Sequence, residues 1–220
     1  MDGVAAVLVA ILLISASVTA VLFDRGAYTR LLGRLDLPKA TGMDENDILD
    51  NYNALIDYNS VFFKGPLEFP TLPMSEQGRI HFEEVKSIFV FFQIVLIISA
   101  ALVILSCVLM IRKRRFQFLS LGGILALVIP AVAVCVMAAV GWDRFFVVFH
   151  ELFFNNDFWV FDAQSDPVIS ILPDEFFLNC LIRIVVGISI SAVVLIVFFT
   201  GRRFDVKHWK IYPFLQRKIQ

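Results

Sequence analysis

Four apolar runs, each long enough to cross a lipid bilayer, leave this 220-residue chain few ways to fold. A hydrocarbon core of roughly 30 Å takes about 20 residues at 1.5 Å of helical rise each. The runs cover residues 3–23, 88–111, 116–140 and 176–200. Lipid offers no partner to a bare N–H or C=O, so each run must be a helix. Composition agrees: 59% of the residues are hydrophobic and 18% charged, where a soluble domain is nearer about 45–50% apolar. The fold expected is an all-α integral membrane protein, with four transmembrane helices and a mostly helical extracellular cap.

The first run is read as an uncleaved anchor. Small residues at Ala16–Ala20 would suit a cleavage site. However, no Lys or Arg precedes the run, and it is longer than the apolar part of a usual signal peptide. Orientation follows from the basic residues beside the spans. The 112–115 loop is Arg112-Lys113-Arg114-Arg115, and the 201–220 tail carries Arg202, Arg203, Lys207, Lys210, Arg217 and Lys218. Both belong in the cytoplasm, as does the N-terminus. Residues 24–87 and 141–175, both net acidic, then lie outside. The predicted location is the bacterial plasma membrane, crossed several times.

The first outer segment is too long for a simple connector. Ala27–Leu37 reads as helical, and Met43-Asp44-Glu45-Asn46-Asp47 as a helix start with acids in its first turn. Ile48, Leu49, Tyr52, Leu55 and Ile56 repeat at helical spacing. Gly65, Pro66, Pro70 and Pro73 mark an irregular stretch. Ser75 opens a further helix that carries His81 and runs into the second span. In the second outer segment, Trp142 to Phe154 reads as a helix in the headgroup boundary, ended by Asn155-Asn156-Asp157. Trp142, Trp159 and many phenylalanines suit such an interface. Pro173-Asp174-Glu175 opens the fourth span.

Chemistry narrows to a few side chains. His208, in the basic tail, reads as a solvated, lipid-facing residue. His81 lies about two turns before the second span and His150 about three turns after the third, so both fall at one depth on the outside. Imidazole titrates near 6.5, which suits proton transfer at neutral pH. Glu84 shares a helix face with His81 at i+3. Asp157 is seven residues after His150 and shares its face if the helix persists. Arg183 lies about two turns inside the fourth span, a costly depth that calls for a partner or a wet cavity. Arg79, Tyr52 and Tyr58 complete the candidate set. Cys107, Cys135 and Cys180 read as packing residues. No GxSxG, HExxH, Gly-rich phosphate loop or CxxC occurs, and no metal or cofactor is expected.

The stretches Met74–Lys86 and Phe149–Trp159, with Asn51-Tyr52, Tyr58 and Leu172–Phe177, resemble the outer motifs of the bacterial lipoprotein intramolecular transacylases (Lit). The resemblance covers nearly the whole chain. It implies an acyltransferase that moves the sn-2 acyl chain of a diacylglyceryl-Cys lipoprotein, in Gram-positive bacteria, to the α-amino group of that Cys. The product is the lyso-form lipoprotein. Its partners would be that substrate and membrane lipid, with no nucleic acid. On this reading His150 and His81 are catalytic. Arg183, Arg79, Tyr52, Tyr58, Glu84 and Asp157 bind substrate or the oxyanion. The competing reading is a four-span chaperone or regulatory partner of an envelope protein, which would need the outer aromatic surface but not the imidazoles.

Overall fold

The computed structural model describes residues 2–111 and 116–209, the side chains of 110–111 and 201–209 excepted. The basic 112–115 loop and His208 thus lie outside the described residues and side chains. Every element described is a helix. The spans are α1 (Asp2–Leu22), α5 (Glu76–Ile111), α6 (Gln117–Ala126) continued by α7 (Val128–Val140), and α10 (Asp174–Trp209). Between them lie α2 (Arg25–Leu35), α3 (Leu37–Thr41), α4 (Glu45–Tyr58), α8 (Trp142–Phe153) and α9 (Val168–Ile171). The chain is an all-α membrane protein with four spanning helices.

Small residues set the bundle. Helices in lipid gain little from apolar burial against each other, so close packing must draw them together. A methyl group added at Gly122 of α6 would lie 2.5 Å from Val9 of α1. One added at Gly123 would lie 2.9 Å from the Ala192 carbonyl of α10. Bare glycine backbone therefore lets α6 wedge between α1 and α10, where Ala6 and Ala192 are fully buried.

The third span is not the unbroken helix that its apolar run predicts. It breaks at Leu127, between α6 and α7. Pro130 has no N–H to give to Ala126, and its ring crowds that carbonyl. The chain bridges the gap with Leu127 N donating to Ile124 O at 3.2 Å.

At the end of the bundle where α1 stops and α10 starts, α2, α3, α4 and α9 form a cap with its own core. Tyr28, Ile48, Ile56, Val168 and Ile171 are almost wholly buried there. The Tyr28 hydroxyl donates to the Ile171 carbonyl at 2.7 Å, tying the first outer segment to the second. Asp44 caps α4 by accepting from Asn46 N. Asn51, fully buried, accepts from Thr71 N and Leu72 N and donates to Thr71 Oγ1. One amide thereby takes up two backbone N–H groups of the proline-rich stretch.

Candidate active site

His81 sits in the second turn of α5, before the apolar run that begins at Ile88. His150 sits in the last turn of α8. Their ring centroids are 6.2 Å apart, with 34° between the planes. Both are buried, at 6% and 9% exposure. Neither is bathed in polar groups. Trp159 stacks on His150 at 4.7 Å, and Phe146 lies 4.1 Å from it. Phe154 and Phe161 meet His81 edge-on at 4.7 and 5.4 Å.

The hydrogen bonds set the rings' roles. His150 Nδ1 lies 2.7 Å from the Phe146 carbonyl. A carbonyl only accepts, so Nδ1 carries the proton and Nε2 is left as the acceptor. His81 Nδ1 is buried without a partner. Burial, then the neighbouring charge of His150, holds the His81 imidazole down to about 4. Burial also lowers His150, against the opposing pull of the Phe146 carbonyl. Both rings are therefore neutral near pH 7 and able to accept a proton.

Glu84, one turn on from His81, accepts at Oε1 from Asn156 Nδ2 at 2.9 Å. Its Oε2 is buried without a partner, as is the indole Nε1 of Trp159. A free carboxylate oxygen and a free N–H donor thus belong to residues at the edge of the histidine pair.

Asp157 does not share a face with His150. The helix stops at Phe153, because Phe154 turns to an extended conformation and its N–H closes on the His150 carbonyl. Asp157 lies beyond that stop and is exposed. Its neighbour Asn156 makes the bond to Glu84 instead. Arg79 is two residues from His81, hence about 200° round the helix, and pairs on the surface with Glu76 and Glu83. Arg183 pairs with Asp24, the residue that caps α2. Its Nε is buried without a partner. Tyr52 stacks flat on Tyr28 at 3.6 Å, and burial pushes both phenols well above their ordinary range. Tyr58 ends α4 and carries Lys86 Nζ over its ring at 4.0 Å. Five of the eight candidates therefore fall in two clusters, His81–Glu84–His150 and Arg183–Tyr52, the second completed by Asp24, while Arg79, Tyr58 and Asp157 lie outside both. The rings of Phe146, Phe177 and Phe176, in tilted and edge-on contact, run between the two clusters.

Asp166 also holds the site together, and sequence reasoning missed it. It is 3% exposed and accepts from Ser75 N at 2.7 Å, just ahead of α5. A Cβ on Gly78 would sit 2.3 Å from its Oδ1. This contact pins the loop bearing Trp159 and Phe161 onto the helix bearing His81. Among the described residues no group of three or more His, Cys, Asp or Glu is placed to hold a metal ion.

Fold and site define a four-span membrane protein that keeps two neutral imidazoles in an aromatic cage under a helical cap. Residues 4–177 match the family model "Lipoprotein intramolecular transacylase Lit". The structure of the membrane-integral lipoprotein intramolecular transacylase Lit from Bacillus cereus is similar, with a TM-score of 0.85 and 32% identity over 96% of this chain and 98% of that one. Two structures of the Bacillus cereus protein with a histidine replaced, by arginine in one and alanine in the other, each give a TM-score of 0.82. No curated protein matches the chain. The chain belongs to the lipoprotein intramolecular transacylase (Lit) family.

Proposed function

We propose that this protein is an acyltransferase that moves the sn-2 acyl chain of a lipoprotein's diacylglyceryl-Cys to the α-amino group of the same Cys. The single observation that carries this reading is the pair of neutral, buried imidazoles 6.2 Å apart, one with its acceptor nitrogen fixed by the Phe146 carbonyl. Family membership supplies the substrate class.

The chemistry has two proton transfers. An α-amino group titrates near 7.7–8.0 and attacks only when neutral. Its nitrogen bonds to the sn-2 ester carbon, and His150 Nε2 takes the proton that the nitrogen sheds. The tetrahedral intermediate then expels the glyceryl oxygen, which takes that proton back from the imidazolium. An amide has formed, an ester has broken, and no outside donor is consumed. His81 assists proton transfer or holds the amine. Amine and ester belong to one molecule, so correct placement is worth on the order of 7–11 kcal/mol.

Two other groups complete the assignment. Glu84 Oε2 receives the substrate's ammonium, which gives its first proton to solvent before the neutral amine attacks. The oxyanion needs a donor that no other group has claimed. Arg79 is held on the surface by Glu76 and Glu83, and Arg183, although its Nε is free, is paired with Asp24 in the cluster away from the histidines. The Trp159 indole N–H is free and lies on the ring stacked against His150. We assign it the oxyanion. Arg183 and Tyr52 then hold the cap to the fourth span, and Tyr58 packs beneath it. The site faces outward, with both termini cytoplasmic, as the basic flanks require.

The test is direct. Purified protein is incubated with a synthetic diacylated lipopeptide, and the acyl positions are mapped by tandem mass spectrometry. One chain on nitrogen and one left on glycerol is the expected product. Both chains remaining on glycerol, or an acyl chain lost to water, refutes the assignment.

A further inference from the structure

A second feature points into the bilayer rather than at the reaction. Gln93 stands five residues inside the apolar run that starts at Ile88, about 7.5 Å along the helix. It is 5% exposed. Its side chain reaches the turn that follows α4: Oε1 accepts from Val61 N at 3.0 Å, and Nε2 donates to Asn59 O at 2.8 Å. The turn is therefore held level with the apolar run, well below both histidines.

The turn satisfies itself internally. Asn59 N donates to Leu55 O, Ser60 N to Asp57 O, and Phe63 N to Ser60 O. Phe62 N donates to Ser60 Oγ. With Val61 N on Gln93, all five N–H groups of Asn59–Phe63 have partners within the protein. Surface turns in water have no such need, whereas irregular backbone at membrane depth survives only on this condition. At the tip, Phe62 is 83% exposed. Phe91 and Ile94 of α5, beside Gln93, are exposed as well, at 60% and 44%. Lys86, nearer the start of α5, donates to the Phe63 carbonyl at 3.4 Å and sits over the Tyr58 and Phe63 rings.

We propose that Asn59–Phe63 is a re-entrant turn embedded in the leaflet beneath the cap, with Phe62 among lipid acyl chains and Gln93 as its anchor. It continues the lipid-facing surface of α5 and fixes the depth at which the cap rides. Charged or zwitterionic headgroups are not its ligand; the hydrocarbon is.

The experiment places p-benzoylphenylalanine in place of Phe62 and, separately, in place of Glu68, which is exposed farther along the same segment. Each full-length protein is irradiated in phosphatidylcholine–phosphatidylglycerol vesicles and weighed intact. Lipid adducts severalfold more abundant at position 62 than at position 68 are expected. Equal or lower yield at 62 overturns the proposal. Gln93→Leu gives a second reading, since it strips Val61 N and Asn59 O of their partner. A lower unfolding midpoint in vesicles is expected, and an unchanged midpoint contradicts the anchoring role.

Discussion

The Nδ1–H of His150 donates to the carbonyl of Phe146 at 2.7 Å, one turn back on the same helix. The bond decides the tautomer, and the opposite nitrogen is left free to accept a proton. His81, whose Nδ1 has no partner, is the less constrained ring of the pair.

Loss of His150 removes the base. His150→Ala is expected to lower the transacylation rate by about 10²–10⁴-fold, the usual share of general acid–base catalysis. His81→Ala is expected to lower it less. Rates come from lipopeptide mass spectrometry, with unfolding midpoints measured alongside to show that each variant stays folded.

Glu84 is assigned to the substrate's ammonium, so its loss acts on binding. Glu84→Gln is expected to raise KM about tenfold with a smaller change in kcat, as for one charge-assisted hydrogen bond. Asn156→Ala frees the partner oxygen of Glu84 and is expected to shift KM in the same direction. An unchanged KM in Glu84→Gln removes Glu84 from the site.

Activity and stability should part company with pH. Both imidazoles are already neutral near pH 7, so the rising limb of the rate belongs to the substrate amine, near 7.7–8.0. A limb near 6.5 would instead report an ordinary histidine. Stability changes with the same sign but in a lower pH window. The His81 ring is held to about 4 against an ordinary 6.5, so the unfolded chain binds its proton first. Stability from this group is full above 6.5 and drains as the pH falls toward about 4. Thermal unfolding in detergent across that window should show the decline, and His81→Gln should flatten it.

Asp166 positions the cage without touching substrate. Asp166→Ala leaves Ser75 N without its buried acceptor and should cost on the order of 1–2 kcal/mol. Gly78→Ala drives a methyl into the same carboxylate and should mimic it. Both should lower the unfolding midpoint; Gly33→Ala, where a Cβ meets nothing within 4 Å, should not.

Four spans were legible because apolar length alone dictates them. The start of α4 at Asp44 and the long α5 were legible through their acids and their spacing. The break at Leu127 was written in Pro130 but hidden inside an unbroken apolar run. Depth matching brought His81 and His150 to one level, yet it did not distinguish Asp157 from Asn156, because that rested on where α8 stops. Arg79 has its partners at i−3 and i+4 on its own helix, a spacing the sequence carries, whereas the partner that Arg183 called for is set by the fold. Glu83 lies across one helical turn, and Asp24 belongs to a different helix from Arg183. Asp166 and Gln93 gave no signal at all: each acts on backbone far away in sequence, and nothing in local spacing marks such a contact.

The most direct measurement is a double-mutant cycle on the transacylation rate with His81→Ala, His150→Ala and the pair together. Two rings acting as one proton-transfer unit should give a double variant no slower than His150→Ala alone. Losses that multiply, or a double variant that still transacylates at the wild-type rate, would contradict a shared imidazole site.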